Sequence, residues 1–154
     1  MSKALDAIKQ NLENIIPVIE DYENYLIPFK DDLSIKGKAI DKANIEQASL
    51  LYLYNERNVE LKAVVRYLED LIAATRGRIW GKLTEDNRKQ LQQKDKEQYI
   101  NADPEYLSIK ELSGVVEELS SKYDAAVDAF RGRGYALNNL TRLIVEQAND
   151  HTLQ

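Results

Sequence analysis

The sequence predicts an all-α protein of long amphipathic helices, with a shorter polar helix or arm between them, assembling as a helical homo-oligomer. Three observations carry this expectation. Apolar residues recur at steps of three and four over three segments, no stretch alternates with the period of a strand, and the resulting seams are narrow enough to call for a partner helix. Antiparallel helices of one chain satisfy the same pattern, and periodicity does not choose between the two. At 154 residues the chain has the length of one domain.

The first helix is expected over residues 4–29, on the seam Leu5, Ile8, Leu12, Ile15, Ile19, Tyr22 and Leu26. Pro17 lies opposite that seam and, lacking a backbone N–H, is expected to kink or divide the helix. Pro28 is expected to end it, and residues 30–37 read as a connector. The second, longer helix is expected over 38–78, with Ile40, Leu51, Tyr54, Leu61, Val65, Leu68 and Ile72 on its seam and Gly77 and Gly81 at its end. Asn44 and Asn58 fall at seam positions, where a buried Asn fixes register and a frayed one does nothing.

Residues 84–100 hold helix formers but almost no apolar face, which suits either a solvated helix or an arm ordered only on binding. Asp103-Pro104 then reads as a helix start, Asp at the cap and Pro in the first turn. The seam that follows is Ile109, Leu112, Val116, Leu119, Tyr123, Ala126, Phe130, Arg133, Leu137, Leu140 and Ile144. Its phase is unchanged across Arg131-Gly132-Arg133-Gly134, so one helix is expected to run through. Two interior glycines cost roughly 1 kcal/mol each relative to alanine, and close approach by a neighbouring helix or by a phosphate would offset that cost. The chain thus divides into an N-terminal amphipathic helix (1–29), a central helix with a basic segment (33–101) and a C-terminal helix (102–154).

Composition and motif spacing argue against catalysis. With no cysteine and one histidine, His151, there is neither a thiolate nor a second imidazole to complete a metal site or serve a nucleophile. Gly77-Arg78-Ile79-Trp80-Gly81-Lys82-Leu83 is one residue short of a phosphate-binding loop and has Leu where Ser or Thr must hold magnesium. Gly132-Arg133-Gly134 lacks the third glycine of a dinucleotide fingerprint and has no strand before it. The paired carboxylates Glu117-Glu118 and Asp31-Asp32 are adjacent and would point about 100° apart on a helix. No enzyme activity, cofactor or metal is expected. The first residues carry charges where a leader would be apolar, and no later stretch has the length of a membrane span, so a cytoplasmic protein is expected.

The formal net charge is -5, yet between residues 76 and 96 seven basic side chains face three acidic ones. Two Arg-Gly-Arg tripeptides, at 76–78 and 131–133, each precede an aromatic, Trp80 and Tyr135. Guanidinium groups follow phosphates and flat rings stack on bases, which makes single-stranded nucleic acid the first partner to consider. The plain alternatives are that the charges form the solvated face of a helix and that Trp80, beside Ile79 and Leu83, anchors a core.

From about residue 33 onward the chain resembles the UvsY-like recombination mediators of T4-like bacteriophages. The likeness rests on Ala102-Asp103, Leu107, Ile109, Ala126-Val127-Asp128-Ala129 and Arg133-Gly134-Tyr135-Ala136 in order and spacing, with Ile35 and the Arg76/Arg78 pair upstream. The resemblance implies a non-catalytic protein that binds single-stranded DNA and forms a homo-oligomeric ring of six or seven subunits. It also implies that the protein helps load a RecA-like recombinase onto strands covered by a single-stranded-DNA-binding protein. The DNA contacts it suggests are Arg76 and Arg78, with Trp80, Lys82, Arg88 and Lys89 beside them. The association surface it suggests is Phe130, Arg133, Tyr135, Leu137, Leu140 and Ile144. Residues 3–28 are an addition to that family's pattern. A coiled-coil adaptor or phage assembly protein, its basic segment bound to an acidic partner, is the alternative reading.

Overall fold

The computed structural model describes residues 2–86 and 91–152. In order these form α1 (Lys3–Gln10), a 3-10 turn (Leu12–Asn14), α2 (Ile15–Tyr25), α3 (Phe29–Leu33), α4 (Ile40–Asp86), α5 (Gln93–Ala102) and α6 (Pro104–Thr152). The chain is all-α over the described residues, and the long helices α4 and α6 pack together as an antiparallel hairpin. Cross-links from Arg78 to Glu105, Asn58 to Asp124 and Asn44 to Thr141 mark the register.

The N-terminal segment departs from the expected single helix. Its break falls at Asn11, whose backbone is extended and whose side-chain oxygen accepts from the Glu13 N–H at 3.0 Å. A short polar side chain that offers the backbone a local bond competes with the helix. Pro17 instead sits in the first turn of α2, where its missing N–H would have had no intrahelical acceptor. Helix α2 stops at Tyr25, and Pro28 caps α3, a helix where a connector was expected. The true connector is 34–39, turned at Gly37, whose φ of 75° favours glycine.

Helix α4 does not end at Gly77 or Gly81 but continues to Asp86. A glycine weakens a helix without forbidding it, and the turns on either side are held by Ile79, which packs with Ile100 and Tyr106 against Ile72, Trp80 and Leu83. That cluster also gives the polar segment its buried anchor, since Ile100 on α5 is fully enclosed. At the start of α6 the Asp103 carboxylate accepts from the N–H groups of Glu105 and Tyr106, at 2.9 and 3.1 Å, as an N-cap does.

The main core lies between α4 and α6 and is closed on one side by α1–α3. Tyr54, Leu61, Val64 and Leu68 meet Ile109, Val116, Leu119, Tyr123 and Phe130, while Ile8, Ile15 and Tyr22 cover them. The N-terminal helices therefore dock on their own chain. Polar groups inside are partnered across helices. Asn58 donates to Asp124 at 2.6 Å and accepts from Ser120 at 3.1 Å, so the seam asparagine fixes the register of α4 against α6. Hydrogen bonds from Lys62 and Asn58 hold the Asp124 carboxyl below its usual range.

Three tyrosine hydroxyls tie the layers together. Tyr22 donates to Glu60, Tyr54 to Asp32 at 2.9 Å, and Tyr123 to the Tyr22 carbonyl at 2.7 Å. Burial pushes the Tyr123 phenol up to about 12. Burial also raises Tyr22 and Tyr54, reinforced by the carboxylates that accept from them.

Candidate nucleic-acid interface

The basic segment becomes one end of the hairpin: the last turns of α4, the helix α5 and the first turn of α6. Because α4 runs unbroken through this region, Arg76 and Arg78 are about 200° apart around its axis. They do not form one clamp. Arg76 shares a flank with Trp80, and Arg78 shares the other with Lys82, each pair four residues apart. Arg76, Arg78 and Lys82 are exposed. Arg78 is ion-paired with Glu105, whereas Arg76 and Lys82 make no ion pair among the described residues. Arg88 and Lys89 lie outside the described residues.

Trp80 is half-buried, and the core-anchor reading of it applies in part. Its ring packs on the Ile79, Ile100 and Tyr106 cluster, and the Lys96 ammonium lies 5.0 Å from the ring centre. Lys96 also donates to Thr84 Oγ1 at 3.0 Å, which latches α5 to the end of α4. Tyr99 on the outer side of α5 is 59% exposed, and Lys110 lies over the Tyr106 ring. Sequence reading passed over Lys96 and Tyr99 as contact candidates. Their signal was the i, i+4 spacing of Lys96 and Ile100, which puts the lysine beside the one anchoring residue of a polar helix.

The exposed pair Arg78–Glu105 contributes only about 0–1 kcal/mol, so a phosphate can take the place of the carboxylate. The surface therefore offers separate cationic points on both flanks of α4, with Trp80 on one of them. Such an arrangement suits an extended anion held by several modest contacts.

The residues expected to mediate association divide into two sets. Phe130, Arg133 and Leu137 are buried inside the chain's own hairpin. Arg133 donates to the carbonyls of Leu33 and Ala43, each at 3.2 Å, and to Gln47 Oε1 at 2.7 Å, so it joins the end of α3, the start of α4 and α6. A Cβ on Gly134 would stand 3.0 Å from Gln47 Nε2, so this glycine answers to a neighbouring helix and not to a phosphate. Tyr135, Leu140 and Ile144 are exposed, as are Leu143 and Val145. Among the described residues the last hydrogen bond between α4 and α6 is Asn44 to Thr141, and from there α6 extends roughly 16 Å to Thr152, exposed through residue 150.

No protein-family model, curated protein or solved structure matches the chain. Among the described residues no helix is long and apolar enough to cross a membrane.

Proposed function

We propose that the chain is a non-catalytic single-stranded-DNA-binding recombination mediator, acting in the cytoplasm of the host cell where it is phage-encoded. In this reading it holds a strand at the α4/α5 end and helps load a RecA-like recombinase onto DNA covered by a single-stranded-DNA-binding protein, in recombination, repair and recombination-dependent replication. The observation that carries it is the set of cations at this end of the hairpin, Arg76 and Lys96 on the side of the half-buried Trp80 ring and the exposed Arg78 and Lys82 on the other flank of α4. Charge tracks phosphates and the ring accepts bases regardless of sequence.

A mediator must hold a strand and then release it, which calls for many weak contacts. Association multiplies them through effective concentration. The uncovered end of α6, with Leu140, Leu143 and Ile144, is the surface proposed for that association. A ring of six or seven subunits is the arrangement the family resemblance suggests.

The test is fluorescence anisotropy of labelled single-stranded DNA, duplex DNA and heparin at two salt concentrations. Preferential, salt-sensitive binding of the single strand is expected. Equal affinity for any long polyanion would transfer the basic surface to an acidic protein partner, the adaptor reading, and no binding at low salt would end the strand-binding reading.

A further inference from the structure

A groove of about 660 Å³ opens between α1, α2 and α4, lined by residues 53–60 of α4. Along the helix its near edge, Glu60, is about 24 Å from Arg76. Its apolar lining includes Ala4, Ala7, Val18 and Leu53. Its charged lining is Asp21, Glu56 and Glu60 with Lys3 and Arg57.

Two of these charges already have work within the fold. Glu60 accepts the Tyr22 hydroxyl, and the Arg57 guanidinium lies 4.2 Å from the centre of the Tyr25 ring. Asp21, Glu56 and Lys3 make no ion pair among the described residues, so the lining holds two open carboxylates and one open ammonium. The surroundings have the same sign: residues 2–33 carry three lysines and seven carboxylates. A polyanion is repelled from this side of the molecule and a cationic segment is attracted.

The lining adds an apolar requirement. Tyr25 and Leu53, both lining the groove, are 41% and 38% exposed. The wall is also preformed, because the Tyr22–Glu60 and Tyr123–Tyr22 hydrogen bonds fasten α2 to both long helices. A site that is shaped before binding loses little freedom when filled.

We infer that this groove docks a protein segment that carries a lysine or arginine beside an apolar side chain. The cation sits between Asp21 and Glu56, and the apolar neighbour lies against Ala4, Ala7, Val18 and Leu53. The molecule then has two faces of opposite preference, with a cationic peptide on the α1–α2 side and an anion at the α4/α5 end. The groove does not depend on the strand-binding reading.

The test titrates the full chain with two fluorescein-labelled peptides of equal length, one of lysine and leucine and one of glutamate and leucine. Two double variants of equal net charge are compared, Asp21→Lys with Glu56→Lys in the groove and Glu118→Lys with Asp128→Lys on α6. The lysine peptide is expected to bind the wild-type chain at least tenfold more tightly than the glutamate peptide. The groove variant is expected to lose that binding at least fivefold more than the α6 variant, both keeping wild-type helicity. Equal losses in the two variants, or no preference for the lysine peptide, would overturn the inference. Strand affinity of the groove variant, measured alongside, reports separately on the proposed function.

Discussion

Lys96 lies 5.0 Å from the centre of the Trp80 ring and donates to Thr84, whose hydroxyl in turn donates to the Trp80 carbonyl. One lysine thus covers the ring and fastens α5 to α4. Under the proposed function a strand would offer each half of the pair another partner, a phosphate for the ammonium and a base for the ring.

Trp80 is the only tryptophan, so its emission reports this exchange directly. Saturating single-stranded DNA is expected to quench it, and Lys96→Ala to shift the free protein's emission to the red and deepen the quench. Trp80→Ala is expected to weaken strand binding by about 1–3 kcal/mol, the usual range for a base on an aromatic ring. Emission unchanged at a strand concentration that saturates anisotropy would rule out stacking and leave Trp80 as a packing residue.

Glu105 competes with a phosphate for Arg78, while Arg76 on the other flank has no such competitor among the described residues. Glu105→Gln is therefore expected to tighten strand binding and to steepen the slope of log K against log salt by about 0.7, the increment for one phosphate contact on a single strand. Arg78→Ala should cost less affinity than Arg76→Ala, and the two losses should add, because the side chains diverge around the helix. Strong coupling between them in a double-mutant cycle would mean that they grip the same phosphate, against the geometry of α4.

The tyrosine layer sets an alkaline limit on stability. Tyr22, Tyr54 and Tyr123 ionise less readily in the folded chain than in the unfolded one, whose phenols titrate near 10. The stabilisation is thus fully present below that pH and is lost as pH rises toward 12 and beyond. Ellipticity at 222 nm and tyrosinate absorbance are expected to change together above about pH 11. Tyr54→Phe, which removes one ionisable hydroxyl, should move the transition to higher pH. Full tyrosinate absorbance in a still-helical protein would contradict the burial argument.

Much of this architecture was legible in the chain. Asp103-Pro104 starts α6 as its capping chemistry requires, the α6 seam is the buried face as far as Leu137, and Asn58 sets register. The failures have local causes. Periodicity cannot see that Asn11 captures a backbone N–H and breaks a helix whose apolar spacing is intact. It cannot see that Ile100, alone in a polar stretch, finds a pocket that keeps α4 helical past two glycines. Arg133 stood out as the interruption of a seam and was expected at an association surface, but three carbonyl oxygens from other elements receive it inside. The divergence of Arg76 and Arg78 was available in principle, since two residues apart on a helix means nearly opposite sides. It was hidden by the expectation that Gly77 ends the helix.

The burial of Arg133 and Leu137 also changes where the association surface should be cut. Removing the chain from residue 131 onward would take away the clamp on α3 and α4 and unfold the core, so loss of assembly in that truncation would carry no information about the interface. A stop after Thr141 instead removes only residues that extend past the last α4–α6 link. This shorter chain is expected to keep its helical hairpin and melt within a few degrees of the full one. Its sedimentation mass should fall to that of a monomer, and its strand affinity should drop by about 10²–10⁴, the range attributed to multivalency. An unchanged mass would move the interface to another surface, with the exposed α4 residues Ile45, Tyr52 and Val59 the next to substitute. A monomer that binds DNA as tightly as the full chain would show that avidity has no part in holding the strand.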